Sequence, residues 1–254
     1  MVIKILVATH KVSWMPEDKV YIPIQIGRAL NYSLNMIGDN TGENISYKQP
    51  YYAELTAIYW AWKNLNADYV GLNHYRRYFV KKVKFFSNSE KFKYILKYDD
   101  FKNLLNDYPV LLPKKRNYWI VSKYYQYKKS HNISDLELCR EIIEKLYPDY
   151  LIYFDNSMRK KKGHICNMFV MKRELFNEYC QWLFSILFEM EKRIDINTYT
   201  GYQMRIFGYI AERLLDVWIE RNDIKYKELN YLNIEGNNWV RKIASFIYKI
   251  FIKK

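Results

Sequence analysis

The sequence predicts an α/β fold in which helices flank a central sheet. Two apolar segments, 2–8 and 69–73, have the length and the β-branched content of buried strands. Between them Pro50 opens a segment, 51–64, whose apolar residues recur at three- and four-residue spacing, as in a helix. Near-continuous apolar strands joined through a helix predict parallel strands that are covered on both faces.

The other predicted elements follow in chain order. Residues 12–48 contain many turn formers and little periodicity, which predicts a long loop. Further along we expect a strand at 110–113, a helix capped by Ser134 with Glu137 three residues later, a strand at 164–171, and helices at 173–192 and 200–221.

The composition is that of a folded and strongly basic protein. Hydrophobic residues make up 50% of the 254 residues and charged residues 27%, which excludes wholesale disorder. The chain carries 41 lysines and arginines against 27 acidic residues, a formal net charge of +14. Such a surface predicts an anionic partner, whether nucleic acid, anionic lipid or a phosphorylated substrate.

Cysteine usage and apolar run lengths predict a cytoplasmic protein. The three cysteines form no CxxC pair and are expected to be reduced, buried thiols. The first apolar run is too short for a signal peptide. Every window of about 18 residues contains a charge, so no transmembrane span is expected.

Two adjacent arginines, Arg76 and Arg77, stand close behind the predicted strand 69–73. Ligands of α/β sheets bind at the carboxyl ends of strands, and guanidinium groups there can hold a diphosphate through charge-assisted hydrogen bonds. The alternative is a solvated arginine pair beside aromatic core residues. The absence of an intervening polar turn favours the binding interpretation.

Each of four further features has two possible interpretations. The turn-forming segment 38–46 either wraps a ligand or is a surface turn. Glu54 is a candidate site residue, although a carboxylate near a helix N-terminus is favourable by itself. Asn167 interrupts an apolar strand, and a buried amide requires partners. Arg205 and Glu212, seven residues apart on one helix face, either serve a site or tie two helices together.

A series of motifs makes the chain resemble a known bacterial family. The family was long catalogued as a domain of unknown function and occurs in capsule, exopolysaccharide and O-antigen clusters. Its members are described as glycosyltransferases, some of them galactofuranosyltransferases. The motifs span roughly residues 3–218 and lie, in the family's order, at 7–11, 21–25, 39–46, 54–64, 71–79, 131 with 134–137, 167–171, 179–184 and 205–214.

The resemblance implies a GT-A-like nucleotide-sugar-binding fold with a mainly parallel sheet, over residues 1–235. In that fold a strand normally ends in Asp-x-Asp, which binds a divalent metal on the diphosphate. The corresponding strand here ends in His74, Tyr75, Arg76 and Arg77, and the sequence contains no HExxH motif or His/Cys cluster. We therefore expect no metal cofactor, because two fixed cations would neutralise the leaving diphosphate.

The same resemblance assigns roles to individual residues. Thr9, His10 and Lys11 are expected to meet the nucleoside and phosphates, and the arginine pair the diphosphate. A carboxylate would act as the base of an inverting transfer, and Asp135 and Glu212 are the two candidates. The remaining candidate site residues are Asn40, Asn44, Glu54, His74, Tyr75, His131, Asn167 and Arg205.

Two functions from different classes are compatible with these features. The first is a glycosyltransferase that moves a hexose, with galactofuranose and galactose as candidates, from a UDP-sugar to a lipid-linked capsule or O-antigen acceptor. The second is a single-stranded nucleic-acid-binding protein, because basic charge interleaved with 26 tyrosines can support base stacking. No nucleic-acid-binding module is recognisable and the strands are apolar, which favours the first function.

The segment 239–254 predicts a separate amphipathic helix. Its apolar residues fall near one helical face, and it carries five lysines or arginines and no acidic residue. It either docks on the core or lies on an anionic membrane surface. We favour the second interpretation, which places the protein peripherally at the inner face of the cell membrane.

Overall fold

A mixed sheet with helices on both faces forms the centre of the protein. The computed structural model describes residues 1–82 and 90–235. The strands are β1 (Ile3–Thr9), β2 (Tyr21–Gln25), β3 (Ile37–Gly38), β4 (Tyr69–His74), β5 (Arg77–Val80), β6 (Val110–Pro113), β7 (Arg116–Asn117), β8 (Lys162–Gly163), β9 (Phe169–Lys172) and β10 (Tyr226–Asn233). The helices are α1 (Gln49–Tyr52), α2 (Leu55–Asn64), α3 (Tyr98–Asp107), α4 (Lys123–Ser130), α5 (Ile133–Leu146), α6 (Leu151–Arg159), α7 (Arg173–Glu191) and α8 (Ile206–Arg221).

Eight strands share one sheet in the order β3, β2, β1, β4, β5, β10, β6, β9, and β9 also pairs with β4. The pairings of β3 with β2, of β2 with β1 and of β1 with β4 are parallel, and so is the pairing of β6 with β10. The pairings of β4 with β5 and β9, of β5 with β10 and of β6 with β9 are antiparallel. The expected α/β architecture is present, but the sheet is mixed rather than mainly parallel. At β5 the reason is local, since a tight turn at Tyr75 and Arg76 joins it to β4 as a hairpin.

The sheet is buried on both faces, as the apolar strand sequences predicted. Along β1, Ile5 and Val7 pack into one cluster, which includes the buried face of α3. Leu6 and Ala8 face the other, larger cluster, which α2, α5, α6, α7 and α8 cover. Alternate residues of one strand therefore serve two cores, which requires the near-continuous apolar sequence.

Several predicted boundaries are corrected by the structure. The predicted loop 12–48 contains β2 and β3. The predicted helix 51–64 is interrupted at Ala53, which has φ 51° and ψ −125°. The cap of α5 is Asn132, whose Oδ1 accepts the Ser134 N–H, rather than Ser134 itself. Two elements begin later than predicted, β9 at Phe169 instead of 164 and α8 at Ile206 instead of 200.

The predicted helix 239–254 lies outside the described residues, so its membrane role stays a prediction. In the part of the chain that the structure describes, no helix is long and apolar enough to cross a membrane.

A buried ion pair ties α4 to α8. The Lys123 Nζ donates to Asp216 Oδ2 at 2.7 Å and to the Ser157 hydroxyl, and both charged side chains are at most 3% exposed. Asp216 also accepts from the His164 ring at 2.6 Å. Burial by itself would raise the pKa of Asp216, but the His164 bond and the Lys123 charge hold it well below its usual range.

We predict that Lys123→Met destabilises the protein by about 3–5 kcal/mol, because it leaves the Asp216 carboxylate buried without its counter-charge. The matched control is Lys172→Met, which removes an exposed partner of Glu174 at 3.4 Å and should cost about 0–1 kcal/mol. Urea unfolding measures both. Equal losses in the two variants would contradict the prediction.

Candidate active site

A cleft of about 550 Å³ opens at the carboxyl ends of β1 and β4. Its floor includes Ala8 and His10 from the end of β1 and the four residues from the end of β4 to the start of β5, His74 to Arg77. The opposite wall comes from α8 and from the segments around β7 and α4. A cavity of similar size, 620 Å³, lies between α6 and α8 and includes no residue of β1 or β4. The first cleft is the one that strand-end placement predicts as a ligand site.

The cleft is strongly cationic. Five arginines line it, against two glutamates, Glu54 and Glu212. The arginines are Arg76, Arg77, Arg116, Arg205 and Arg213. Guanidinium groups keep their charge at any physiological pH and suit bidentate binding of phosphate oxygens.

Two cleft histidines are held in the neutral form. Burial lowers the pKa of His10, and the nearby Arg205 and Lys11 lower it further. Burial also lowers the pKa of His74, against the opposing effect of Glu54. At neutral pH these two histidines therefore add no positive charge to the cleft, whereas the arginines do.

A left-handed turn at Cys166 and Asn167 makes hydrogen bonds to three titratable side chains of the cleft. The φ angles are 70° and 49°, unusual for residues other than glycine. The Cys166 N–H donates to Glu212 Oε1 at 2.9 Å, and the Cys166 carbonyl accepts from His74 Nε2 at 2.7 Å. Asn167 Nδ2 donates to Glu54 Oε1 at 2.8 Å. One turn thus fixes both carboxylates and a neutral imidazole.

Glu212 is a carboxylate with a perturbed environment. Burial raises its pKa, Arg213 opposes that rise, and Glu54 adds to it. Its Oε2 accepts from Arg213 Nη1 at 3.1 Å, and Arg213 Nη2 donates to Gln126 at 2.6 Å. The Glu212 side chain keeps 21% exposure toward the cleft. A raised pKa together with access to a cleft is typical of a group that exchanges protons.

Glu235 bridges two predicted diphosphate ligands. It accepts from Lys11 Nζ at 3.0 Å and lies 3.6 Å from Arg76 Nη1. Thr9 is buried, and its hydroxyl donates to the Lys11 carbonyl, which shapes the end of β1. Glu235 therefore competes with any anion for these cations.

The structure gathers most of the predicted site residues and leaves others outside. Nine line the cleft, namely His10, Glu54, His74, Tyr75, Arg76, Arg77, His131, Arg205 and Glu212. Six do not line it, namely Thr9, Lys11, Asn40, Asn44, Asp135 and Asn167. Asn167 nevertheless bears on the cleft through its bond to Glu54.

Three of the outlying residues have other surroundings. Asn44 caps its own loop, accepting from the Ser46 N–H and donating to the Gly42 carbonyl. Asn40 is exposed in the same loop. Asp135 accepts a short hydrogen bond from Tyr199, and burial raises its pKa to about 6. Of the two predicted bases, only Glu212 faces the cleft.

Sequence reasoning missed several cleft residues. Arg116 stands three residues after β6, so the strand-end argument used for Arg76 and Arg77 could have found it. Tyr202 and Tyr209 carry no comparable signal, because packing against His131 places them, with ring centroids 5.6 and 4.0 Å from the imidazole. Other polar residues of the cleft that were missed are Gln49, Tyr118, Gln126 and Arg213.

Comparisons with known proteins agree with this architecture. A family model described as DUF4422, a domain of unknown function, matches residues 4–223. The fold is similar to the apo structure of WbbM, a bifunctional glycosyltransferase, with a TM-score of 0.85 and 34% sequence identity. The match covers 93% of this chain and 46% of that one, so this chain spans about half the length of the WbbM structure. No curated protein matches the chain. The resemblance noted in the sequence is confirmed, and the chain belongs to the DUF4422 family.

Proposed function

We propose that the protein is a glycosyltransferase that moves a hexose from a UDP-sugar to a lipid-linked glycan. The observation that carries the proposal is the cleft at the ends of β1 and β4, which combines five arginines with the raised-pKa carboxylate of Glu212. The 34% identity to part of a bifunctional glycosyltransferase supports the same reaction class.

In this proposal the arginines bind the donor diphosphate and stabilise it as it leaves. Arg76 and Arg77 follow β4 directly, and Arg205 faces them from the start of α8. Negative charge develops on the diphosphate when the bond to the anomeric carbon breaks. Cations fixed in place before the reaction stabilise that charge without reorganisation.

Glu212 acts as the base in this proposal. It takes the proton of the acceptor hydroxyl while that oxygen attacks the anomeric carbon, as an inverting transfer requires. Hydrogen bonds from the Cys166 N–H and from Arg213 hold the Glu212 carboxylate in an orientation that faces the cleft. Asp135, the other predicted base, does not line the cleft.

The donor sugar and the acceptor are proposed by family resemblance. Galactofuranose and galactose are the candidate sugars, and a capsule or O-antigen glycan on a lipid carrier is the candidate acceptor. The alternative function, single-stranded nucleic-acid binding, is disfavoured because the sheet is covered on both faces by apolar cores and offers no aromatic platform on its described strands.

We predict that Arg77→Ala weakens UDP binding by about 1.5–3 kcal/mol, the range for charge-assisted hydrogen bonds. Arg159→Ala, which removes an exposed arginine of α6 outside this cleft, is the matched control and should leave affinity unchanged. Glu235→Gln should strengthen binding by up to about fivefold, because it removes a competitor for Arg76. Calorimetry measures these three variants and Arg76→Ala, for which we expect the same loss as for Arg77→Ala. Unaltered affinity in both Arg76→Ala and Arg77→Ala would exclude these arginines from the site.

Glu212→Gln is expected to lower kcat by at least about 100-fold with little change in UDP affinity, because a general base contributes that much. Asp135→Asn is the matched control and should retain activity. In the native enzyme, the rate should fall as pH drops through the raised pKa of Glu212, so the acid limb lies above the ordinary range of glutamate. An unchanged acid limb in Glu212→Gln would assign the proton transfer to another group.

Activity is expected to survive chelation by EDTA. The strand that would end in Asp-x-Asp ends at His74 and is followed by Tyr75 and two arginines, and the described residues contain no cluster of three His, Cys, Asp or Glu side chains that could hold a metal. Transferase assays with and without EDTA measure this. Complete loss of activity, restored by magnesium or manganese, would contradict the prediction.

A further inference from the structure

A pair of apolar side chains projects from the protein beside the cleft. Trp119 is 69% exposed and Ile120 65% exposed, in the turn that joins β7 to α4. Arg116 and Tyr118, immediately before them, line the cleft. We refer to residues 118–121 as the tryptophan tip.

The tip is anchored, so the exposure of its apolar residues is built into the fold. The Tyr118 N–H donates to the Lys161 carbonyl at 2.8 Å, and the Val121 N–H closes the turn onto the Tyr118 carbonyl at 3.4 Å. Trp119 has a φ of 63° and donates its N–H to Asn117 Oδ1 at 2.9 Å. A left-handed backbone conformation is unfavourable at tryptophan, and so is exposure of its indole ring to water. Both features indicate that Trp119 contacts something outside the folded chain.

Two chain segments that adjoin the tip are basic in sequence. The segments 114–130 and 159–162 contain ten lysines and arginines and no acidic residue. Pairing of β7 with β8 brings the two segments together, with Asn117 opposite Lys162. Among the ten, Lys123 and Lys160 are in ion pairs, Lys115 donates to the Tyr226 hydroxyl, and Lys129 also has a partner.

We propose that the tryptophan tip and its basic surroundings dock on an anionic lipid bilayer. Trp119 would lie at the headgroup level and Ile120 at the acyl boundary, while the cations face anionic headgroups. Because Tyr118 of the tip and the nearby Arg116 both line the cleft, docking would hold the cleft mouth at the membrane surface.

Charge and chemistry favour this occupant over two others. The chain's own segment 239–254 carries five cations and no acid, so a basic surface repels it. A nucleic acid would match the charge, and Trp119 could stack on a base, but Ile120 would gain no apolar contact there. A bilayer interface satisfies both apolar side chains and the charge.

The test is flotation of the full chain with vesicles of phosphatidylcholine alone or mixed equally with phosphatidylglycerol. The variant is Trp119→Asn with Ile120→Asn, because asparagine tolerates the left-handed conformation and the fold is retained. The matched control is Leu30→Asn with Tyr32→Asn, which removes two other exposed apolar residues, 49% and 96% exposed, near the β3 edge of the sheet. Thermal unfolding checks that all three proteins are folded.

The expected result is binding to the anionic vesicles that falls at least about tenfold in the tip variant and is unchanged in the control. Lys161→Glu with Lys162→Glu should reduce binding to the anionic vesicles as well. Equal flotation of the tip variant and the native protein would overturn the proposal. Binding of a single-stranded oligonucleotide is measured in parallel. A tip variant that loses oligonucleotide binding as strongly as vesicle binding would also overturn the proposal, because it would assign the surface to nucleic acid. The assay needs no sugar transfer, so its outcome is separate from that of the proposed reaction.

Discussion

Two carboxylates and an imidazole meet at the turn formed by Cys166 and Asn167, and the geometry of the cleft depends on the hydrogen bonds of that turn. Its backbone binds Glu212 and His74, and the Asn167 amide binds Glu54. Left-handed conformations cost about 1–3 kcal/mol at residues other than glycine. The surrounding structure maintains this turn because the two cores clamp β9 immediately after it.

The balance of charge around the cleft explains how it can be both cationic and stable. Arg213, which is 4% exposed, is paired with Glu212. Arg77 and Arg116 have no ion-pair partner among the residues that the structure describes. Cations that lie half in solvent avoid much of the desolvation cost that a buried, unpaired charge would impose. A bound diphosphate would supply the missing negative charge, which is why the arginines suit a ligand better than a structural role.

Local sequence predicted the framework but not the strained positions. The strands β1 and β4 and the arginine pair that follows β4 were predictable, because apolar periodicity and strand-end placement are properties of short segments. The break at Ala53 and the turn at Cys166 were not, since tertiary packing imposes both and no glycine marks them. Residues such as Tyr202 reach the cleft from elements distant in sequence, where no local pattern signals their role.

We propose that the arginine cleft binds the diphosphate of a sugar donor next to Glu212. A crystal structure of the protein with UDP is the sharpest test of this proposal. We expect diphosphate oxygens within hydrogen-bond distance of Arg76 or Arg77, with the space in front of Glu212 left open for an acceptor hydroxyl. A diphosphate bound in the cavity between α6 and α8, or anywhere else away from β4, would contradict it.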